Sequence, residues 1–225
     1  MSKLTIAVPS KGTTNIEFTQ SLKLLQVPKG VQYEVLAVAG ADVAVARNLL
    51  ASDFQGDYIF FIDDDVLAPM DAIQKLMAHD KDVVSGLYFA RQEPHFPQLF
   101  RKNKKDPKRY DSIFDIKEEL LEVDACGAGC MLIKKEVFEK LKKPYFRYIP
   151  AGEDTPRKGE DFFFSEKVKE AGFKIYADTS VVCHHMGTKF IGPQHWEISK
   201  QRLQEMEKKL GKKKFQEFRE KQWDN

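Results

Sequence analysis

The 225-residue sequence has little of several things, and each shortage narrows what the chain can be. Cysteine appears three times, at 126, 130 and 183, an odd count that reads as reduced thiols rather than a disulfide framework. No apolar run approaches the roughly 20 residues that cross a bilayer, and the patch within residues 1–9 is too short for a secretory signal. A soluble, cytoplasmic protein is expected. An excess of one charge is also missing, because 36 Lys and Arg stand against 34 Asp and Glu. With no global field, specific nucleic-acid binding is not expected. Nothing in the composition suggests disorder, and the length suits one large domain.

Charge is concentrated locally instead. Lys102, Lys104, Lys105, Lys108 and Arg109 crowd one segment, which reads as an exposed, solvated loop, and Lys208, Lys209, Lys212, Lys213 and Lys214 crowd another. The sharpest feature is residues 58–66, Tyr-Ile-Phe-Phe-Ile-Asp-Asp-Asp-Val, an apolar strand-like run that stops at Asp63, Asp64 and Asp65. Three adjacent carboxylates repel one another unless a cation sits among them, and hard divalent ions such as Mg²⁺ or Mn²⁺ prefer carboxylate oxygens. A strand running into a solvated acidic turn is the plain alternative.

Apolar spacing places strands at 4–8, 33–38, 58–62 and 82–85, with helices at 14–25, at 43–52 behind an Asp42 cap, and from Pro69 to about 77. This β-α-β-α-β order predicts three parallel strands with right-handed crossovers, a sheet at whose carboxyl edge ligands bind. Beyond Gly86 the pattern breaks up among Pro94, Pro97 and Pro107, with strand-like pieces at 87–89, 98–100 and 120–123. Residues 131–133 lead into a helix at 135–141. A polar loop at 150–158 precedes a helix that runs to about Ala171, where Gly172 suits a C′ position. Short strands follow at 174–176 and 180–183. Residues 196–223 form an amphipathic helix with a break at Gly211, expected to pack its apolar stripe on the domain or to touch a membrane peripherally through its lysines.

Several residues fit one chemistry. Asp63 and Asp65 form an Asp-x-Asp pair, and strand alternation lets both face one side while Asp64 faces another. A metal held there would act as a Lewis acid on a leaving diphosphate. Glu160 and Asp161 open a helix, placed either as a general base for a hydroxyl acceptor or as dipole-stabilising caps. His184 and His185 end a late strand, where one neutral imidazole could complete a mixed coordination sphere. Cys126, Cys130, Cys183, His184 and His185 also admit a zinc reading, although their spacing is not that of a zinc ribbon.

Taken in order, Val8-Pro-Ser10, Ala46-Arg-Asn48, residues 61–69 with the aspartates, Gly127 to Phe138, Gly159-Glu-Asp161-Phe-Phe-Phe and His185-Met-Gly187 resemble a GT-A glycosyltransferase of the family 2 type. The likeness covers roughly residues 4–190. It implies an α/β, Rossmann-like single domain with a mostly parallel central sheet flanked by helices: residues 1–195, with a nucleotide-binding half at about 1–86 and an acceptor-side half at about 87–195, followed by a helical extension over 196–225. It also implies a nucleoside-diphosphate-sugar donor, a UDP- or GDP-sugar, and Mn²⁺ or Mg²⁺ as cofactor. The acceptor implied is a hydroxyl of a glycan, lipid-linked or protein substrate, and the outcome is inversion.

By the same resemblance Pro9, Ser10, Arg47 and Asn48 line the nucleotide pocket. Asp63 lies near ribose and metal, Asp65 is the direct metal ligand, and His185 matches the late metal-binding histidine better than His184. Gly127 and Gly129 let the backbone approach the sugar. Asp161 matches the catalytic base, with Glu160 beside it. One departure is that Val38-Ala-Gly40 occupies the place of the usual acidic residue ending the second strand, with Asp42 only later. Competing readings are a nucleotidyltransferase or a haloacid-dehalogenase-like phosphohydrolase using the Asp63–Asp65 metal site, and a non-catalytic sugar-nucleotide-binding module. The phosphohydrolase motif normally follows the first strand, whereas here two strand-helix units precede it.

Overall fold

The computed structural model describes residues 1–152, 156–187 and 190–221. Its first part alternates as the periodicity predicts: β1 (Lys3–Ser10), α1 (Ile16–Leu24), β2 (Gln32–Ala39), α2 (Val43–Asp53), β3 (Tyr58–Ile62), β4 (Val66–Leu67), α3 (Ala72–Ala78) and β5 (Val83–Leu87). Strands β2 and β3 flank β1, both parallel to it. Asp42 caps α2, its carboxylate accepting from the Ala44 N–H at 2.9 Å. There follow β6 (Leu99–Lys102), β7 (Tyr110–Ser112), β8 (Leu120–Val123), β9 (Ala125–Cys126), β10 (Cys130–Lys134), α4 (Lys135–Lys140), α5 (Glu160–Glu170), β11 (Ile175–Val182), β12 (His184–Met186), β13 (Phe190–Ile191), α6 (Pro193–Leu210) and α7 (Lys212–Lys221).

The central sheet has the order β2-β1-β3-β10-β5-β11-β8. Strand β10 runs antiparallel to both β3 and β5, and β8 runs antiparallel to β11, so the other five strands share one direction. The sheet is thus mostly parallel. Its central strands are buried on both faces, and strand alternation divides their side chains between two clusters. Ala7, Ile59, Phe61, Met131 and Ile133 join one cluster with Leu50 of α2 and Phe164 of α5. Leu4, Ile6, Phe60, Ile62 and Leu132 join the other with Phe18 of α1 and Leu76 of α3.

Some boundaries differ from the sequence expectation. Residues 174–176 and 180–183 are not two strands but β11, whose pairing with β5 slips between Asp178 and Val182. Leu87 ends β5, and Phe89 keeps only an isolated bridge to Pro97. The helix expected from Pro69 begins at Ala72. At the carboxyl end α6 and α7 break at Gly211, where a φ of 75° favours glycine. Trp196 of α6 stacks on Phe114 at 5.5 Å, and Phe215 of α7 is buried, so this pair of helices spends part of its apolar surface on the domain. Residues 153–155 of the polar loop and residues 222–225, Trp223 included, lie outside the described residues. No described helix is long and apolar enough to cross a membrane.

Candidate active site

The three aspartates leave the carboxyl end of β3 in three directions. The Asp63 N–H still bonds the Gly129 carbonyl at 3.1 Å, which extends the ladder by one residue and keeps Asp63 on the face of Ile59 and Phe61. There it meets Arg47 of α2, whose Nη2 donates to both Asp63 oxygens at 2.6 and 2.9 Å. The other end of the same guanidinium pairs with Glu160 of α5. Arg47 is only 2 % exposed. Burial works against its charge, but the two carboxylates outweigh it and raise its pKa. Burial pushes the Asp63 carboxyl up from its ordinary value, and Arg47 opposes that. An arginine expected at the nucleotide is therefore an internal clamp that ties α2, β3 and α5 together.

Asp64 turns back to β1. Its Oδ2 accepts from the Ser10 hydroxyl at 2.6 Å and from the Lys11 N–H at 3.2 Å. Pro9 and Ser10 thus end β1 beside the aspartates. Asp65 points elsewhere, toward β12. Its carbonyl accepts from the Met186 N–H at 2.7 Å, and β12 lies antiparallel to β4 with His185 opposite Val66. This places His185 Nε2 3.5 Å from Asp65 Oδ1, while Arg91 Nη1 reaches Asp65 Oδ2 at 3.0 Å. Burial opposes ionisation of Asp65, yet His185, Arg91 and Lys11 hold its pKa below the usual value. The remaining His185 nitrogen, Nδ1, lies 2.9 Å from the Phe89 carbonyl, an acceptor, so Nδ1 carries a proton and Nε2 is the nitrogen turned toward Asp65.

An imidazole nitrogen and a carboxylate oxygen side by side are ligand types that suit a divalent cation of the Mn²⁺ or Mg²⁺ kind. Asp65 and His185 make a pair rather than a full cage, because no group of three or more His, Cys, Asp or Glu that could hold an ion gathers among the described residues. Asp63 is engaged by Arg47, and exposed His184 sits on the opposite face of β12, against Gly192. The cysteines do not form a zinc set. All three are buried, burial pushes Cys126 up to about 12, and the Cys130 hydrogen bond together with burial raises Cys183 well above its ordinary value.

Asp161 stands on the first turn of α5, next to Glu160. Its Oδ1 accepts from the Phe162 N–H at 2.8 Å, and a Cβ on Gly159 would lie 2.5 Å from the same oxygen. Gly159 therefore leaves room for that carboxylate. Burial, and then the charge of Glu160, push the Asp161 pKa up to about 7. A carboxylate that exchanges its proton near neutrality is suited to general-base work.

Gly127 and Gly129 lie against Tyr88. A Cβ on Gly127 would lie 1.9 Å from the Tyr88 hydroxyl, and one on Gly129 would meet that hydroxyl at 3.0 Å and Asp63 Oδ2 at 3.1 Å. Tyr88 fills the space these glycines leave. Its hydroxyl accepts from the Gly129 N–H at 3.1 Å, and its ring meets His185 edge-on at 5.5 Å. Asn48 is also structural: its amide donates to the Ala44 and Phe146 carbonyls at 2.8 and 2.7 Å and accepts from the Tyr145 and Phe146 N–H groups. Sequence reasoning gave no role to Tyr88, Phe89 or Arg91. Only their position just after a sheet strand, at an edge where ligands collect, could have drawn attention to them.

Residues 23–142 match the model of glycosyl transferase family 2. A comparison with curated protein sequences gives no significant match. Among solved structures, A197 from STIV is 27% identical with a TM-score of 0.64, the match covering 87% of this chain and 92% of that one. GalNAc-T7, solved with UDP, GalNAc and Mn²⁺, is 13% identical with a TM-score of 0.58, covering 83% of this chain and 44% of that one, and it shares the fold. The family match spans more than half of the chain and includes β3 and the aspartates that follow it, so the protein belongs to glycosyl transferase family 2 and has the GT-A fold.

Proposed function

We propose that the protein transfers a sugar from a nucleoside-diphosphate-sugar donor to a hydroxyl acceptor, with inversion and with dependence on Mn²⁺ or Mg²⁺. The observation that carries this reading is the Asp65–His185 pair, which sets an imidazole Nε2 3.5 Å from a carboxylate oxygen at the carboxyl edge of the sheet. Family membership supports the reaction class, and GalNAc-T7, with UDP, GalNAc and Mn²⁺ bound, supports a sugar nucleotide and a divalent ion as ligands. Asp65 and His185 would hold the ion, which supplies Lewis-acid stabilisation to a leaving diphosphate.

The chain's own residues divide the remaining work. Asp161 takes the acceptor proton as the acceptor oxygen bonds to the anomeric carbon; the bond from that carbon to the diphosphate oxygen breaks, and the nucleoside diphosphate leaves with the electron pair. Glu160, paired with Arg47, positions rather than reacts. It keeps the first turn of α5 fixed against β3. Ser10 with Asp64 shapes the end of β1, on the nucleotide side of residues 1–86, and the acceptor side falls within 87–195. A cytoplasmic location and a peripheral membrane contact through α6 and α7 belong to the same proposal.

The test is turnover of a panel of UDP- and GDP-sugars with and without Mn²⁺. His185→Ala should weaken the metal response by at least about 10-fold, the loss typical when a metal ligand's surroundings are disturbed. Unchanged metal dependence in both His185→Ala and Asp65→Ala would remove the site assignment. Phosphomonoester hydrolysis without any sugar-nucleotide turnover would favour the phosphohydrolase reading instead.

A further inference from the structure

The two lysine-rich segments, far apart in sequence, meet in space. They wall a cavity of about 990 Å³, at the upper end of the roughly 300–1,000 Å³ usual for ligand sites. Arg101, Lys104 and Lys105 come from β6 and the turn toward β7, Arg157 from the polar loop, and Lys212 and Lys213 from α7. Ten of the seventeen described lining residues are lysine or arginine and two are aspartate, so the described lining is strongly cationic. Part of this charge is answered within the protein, since Lys158 pairs with Glu166 at 2.7 Å and Arg109 reaches Asp106 at 3.5 Å. Lys108 and Arg109 have further interactions within the protein, and the rest of the cationic lining is Arg101, Lys102, Lys104, Lys105, Arg157, Lys212 and Lys213. Like charges gathered around one concavity repel, and an anion bound between them removes the repulsion.

The position of the cavity says what such an anion is for. Every lining residue lies beyond residue 86, outside the nucleotide half of the chain. Phe162 is among them, its ring held between Phe100 at 4.7 Å and Tyr110 at 4.9 Å. Phe162 follows Asp161 on the first turn of α5. The cavity therefore touches the residue that follows the proposed base in sequence.

We propose that this cavity binds the phosphate groups of an anionic acceptor, a phosphomonoester or diphosphate that also carries the hydroxyl to be glycosylated. The acceptor role rests on the transferase reading above; the phosphate site itself does not. Lysine and arginine on three separate elements suit several phosphate oxygens at once, and the volume suits a compact headgroup.

The experiment uses the full chain, inorganic pyrophosphate as probe and EDTA to suppress binding through a metal, with affinity read by calorimetry. Lys104→Glu with Lys105→Glu, and separately Lys212→Glu with Lys213→Glu, should each weaken pyrophosphate by about tenfold or more, and raising salt from about 50 to about 200 mM should weaken the unaltered protein steeply. Asp65→Ala should keep its affinity. The melting temperature of both charge reversals should hold or rise, since they relieve repulsion, which separates lost binding from lost folding.

Sedimentation with phosphatidylcholine vesicles that contain phosphatidic acid, but not with phosphatidylcholine alone, and its loss in the charge reversals, would assign the phosphate to a lipid headgroup. Pyrophosphate binding without such sedimentation would assign it to a soluble compound. Equal pyrophosphate affinity in the unaltered protein and both reversals overturns the proposal, as does tighter, reversal-sensitive binding of a single-stranded oligonucleotide. If no sugar nucleotide is turned over while the reversals still lose pyrophosphate, the transferase reading falls and the phosphate site stands.

Discussion

In the acidic cleft almost every carboxylate has its counterpart inside the protein: Asp63 and Glu160 share Arg47, Asp64 takes Ser10, and Asp65 faces His185 and Arg91. Around the basic cavity ten cationic residues gather with two aspartates in the described lining. The cleft is stable before any ligand arrives, because its charges are compensated by the fold. The cavity's charge is compensated only in part within the protein, by pairs such as Lys158 with Glu166. Buried charge must be paired to be tolerated, whereas charge in an open cavity is screened by water and salt and can be held ready.

Breaking the internal compensation should have the largest effect. Arg47→Met removes the cation between two buried carboxylates, and loss of one partner of a buried ion pair costs about 3–5 kcal/mol. Denaturant unfolding at neutral pH should show that loss, and it should shrink at low pH as the carboxylates take up protons. A loss below about 1 kcal/mol, the range of exposed pairs, would mean that the clamp is solvated and that cleft and cavity do not differ in this way.

The exception within the cleft is Asp161, the carboxylate whose burial is not compensated. Asp161→Asn should lower transfer by about 10²–10⁴-fold, the usual contribution of a general base. In the unaltered protein the rate should rise with pH through about 7 as Asp161 gives up its proton. Stability should move the other way. With a folded pKa near 7 and an ordinary value of 3.8, the folded state binds more protons between those limits, so stability falls as pH rises through that window and levels off above it. The asparagine variant escapes this penalty. It should be more stable at neutral pH by on the order of 1–2 kcal/mol, discounted for a carboxylate that keeps some solvent contact, and no more stable at about pH 4. Equal stability of the two proteins across the window would place Asp161 in water.

The comparison also explains what could be read from the sequence. The parallel β1, β2 and β3, the Asp42 cap and the three aspartates were legible because local patterning specifies them. The resemblance sets Arg47 and Asn48 at the nucleotide, but a motif does not tell which neighbour each side chain meets. Their partners, Glu160 and Phe146, are about a hundred residues away. The insertion of β10 between β3 and β5 is equally nonlocal, and so is the β12–β4 pairing that brings His185 to Asp65. The lysine-rich segment looked like a solvated loop because its second wall, α7, lies at the far end of the chain.

A smaller effect tests how tightly the neutral packing supports the cleft. Gly127→Ala would bring a methyl group to 1.9 Å from the Tyr88 hydroxyl and 2.7 Å from the carbon that bears it. Forcing extra volume into a packed site costs typically about 1–3 kcal/mol. Tyr88→Phe removes the nearer atom, together with the acceptor for the Gly129 N–H, at a cost of about 1 kcal/mol for one hydrogen bond. Because the two residues contact each other, the double variant should be less destabilised than the sum of the singles, with about 0.5 kcal/mol or more of coupling measured by chemical denaturation. Additive costs would show that the Gly127 backbone moves aside independently of Tyr88. The His185 ring, which meets the Tyr88 ring edge-on, would then owe its orientation to the Phe89 carbonyl rather than to this packing.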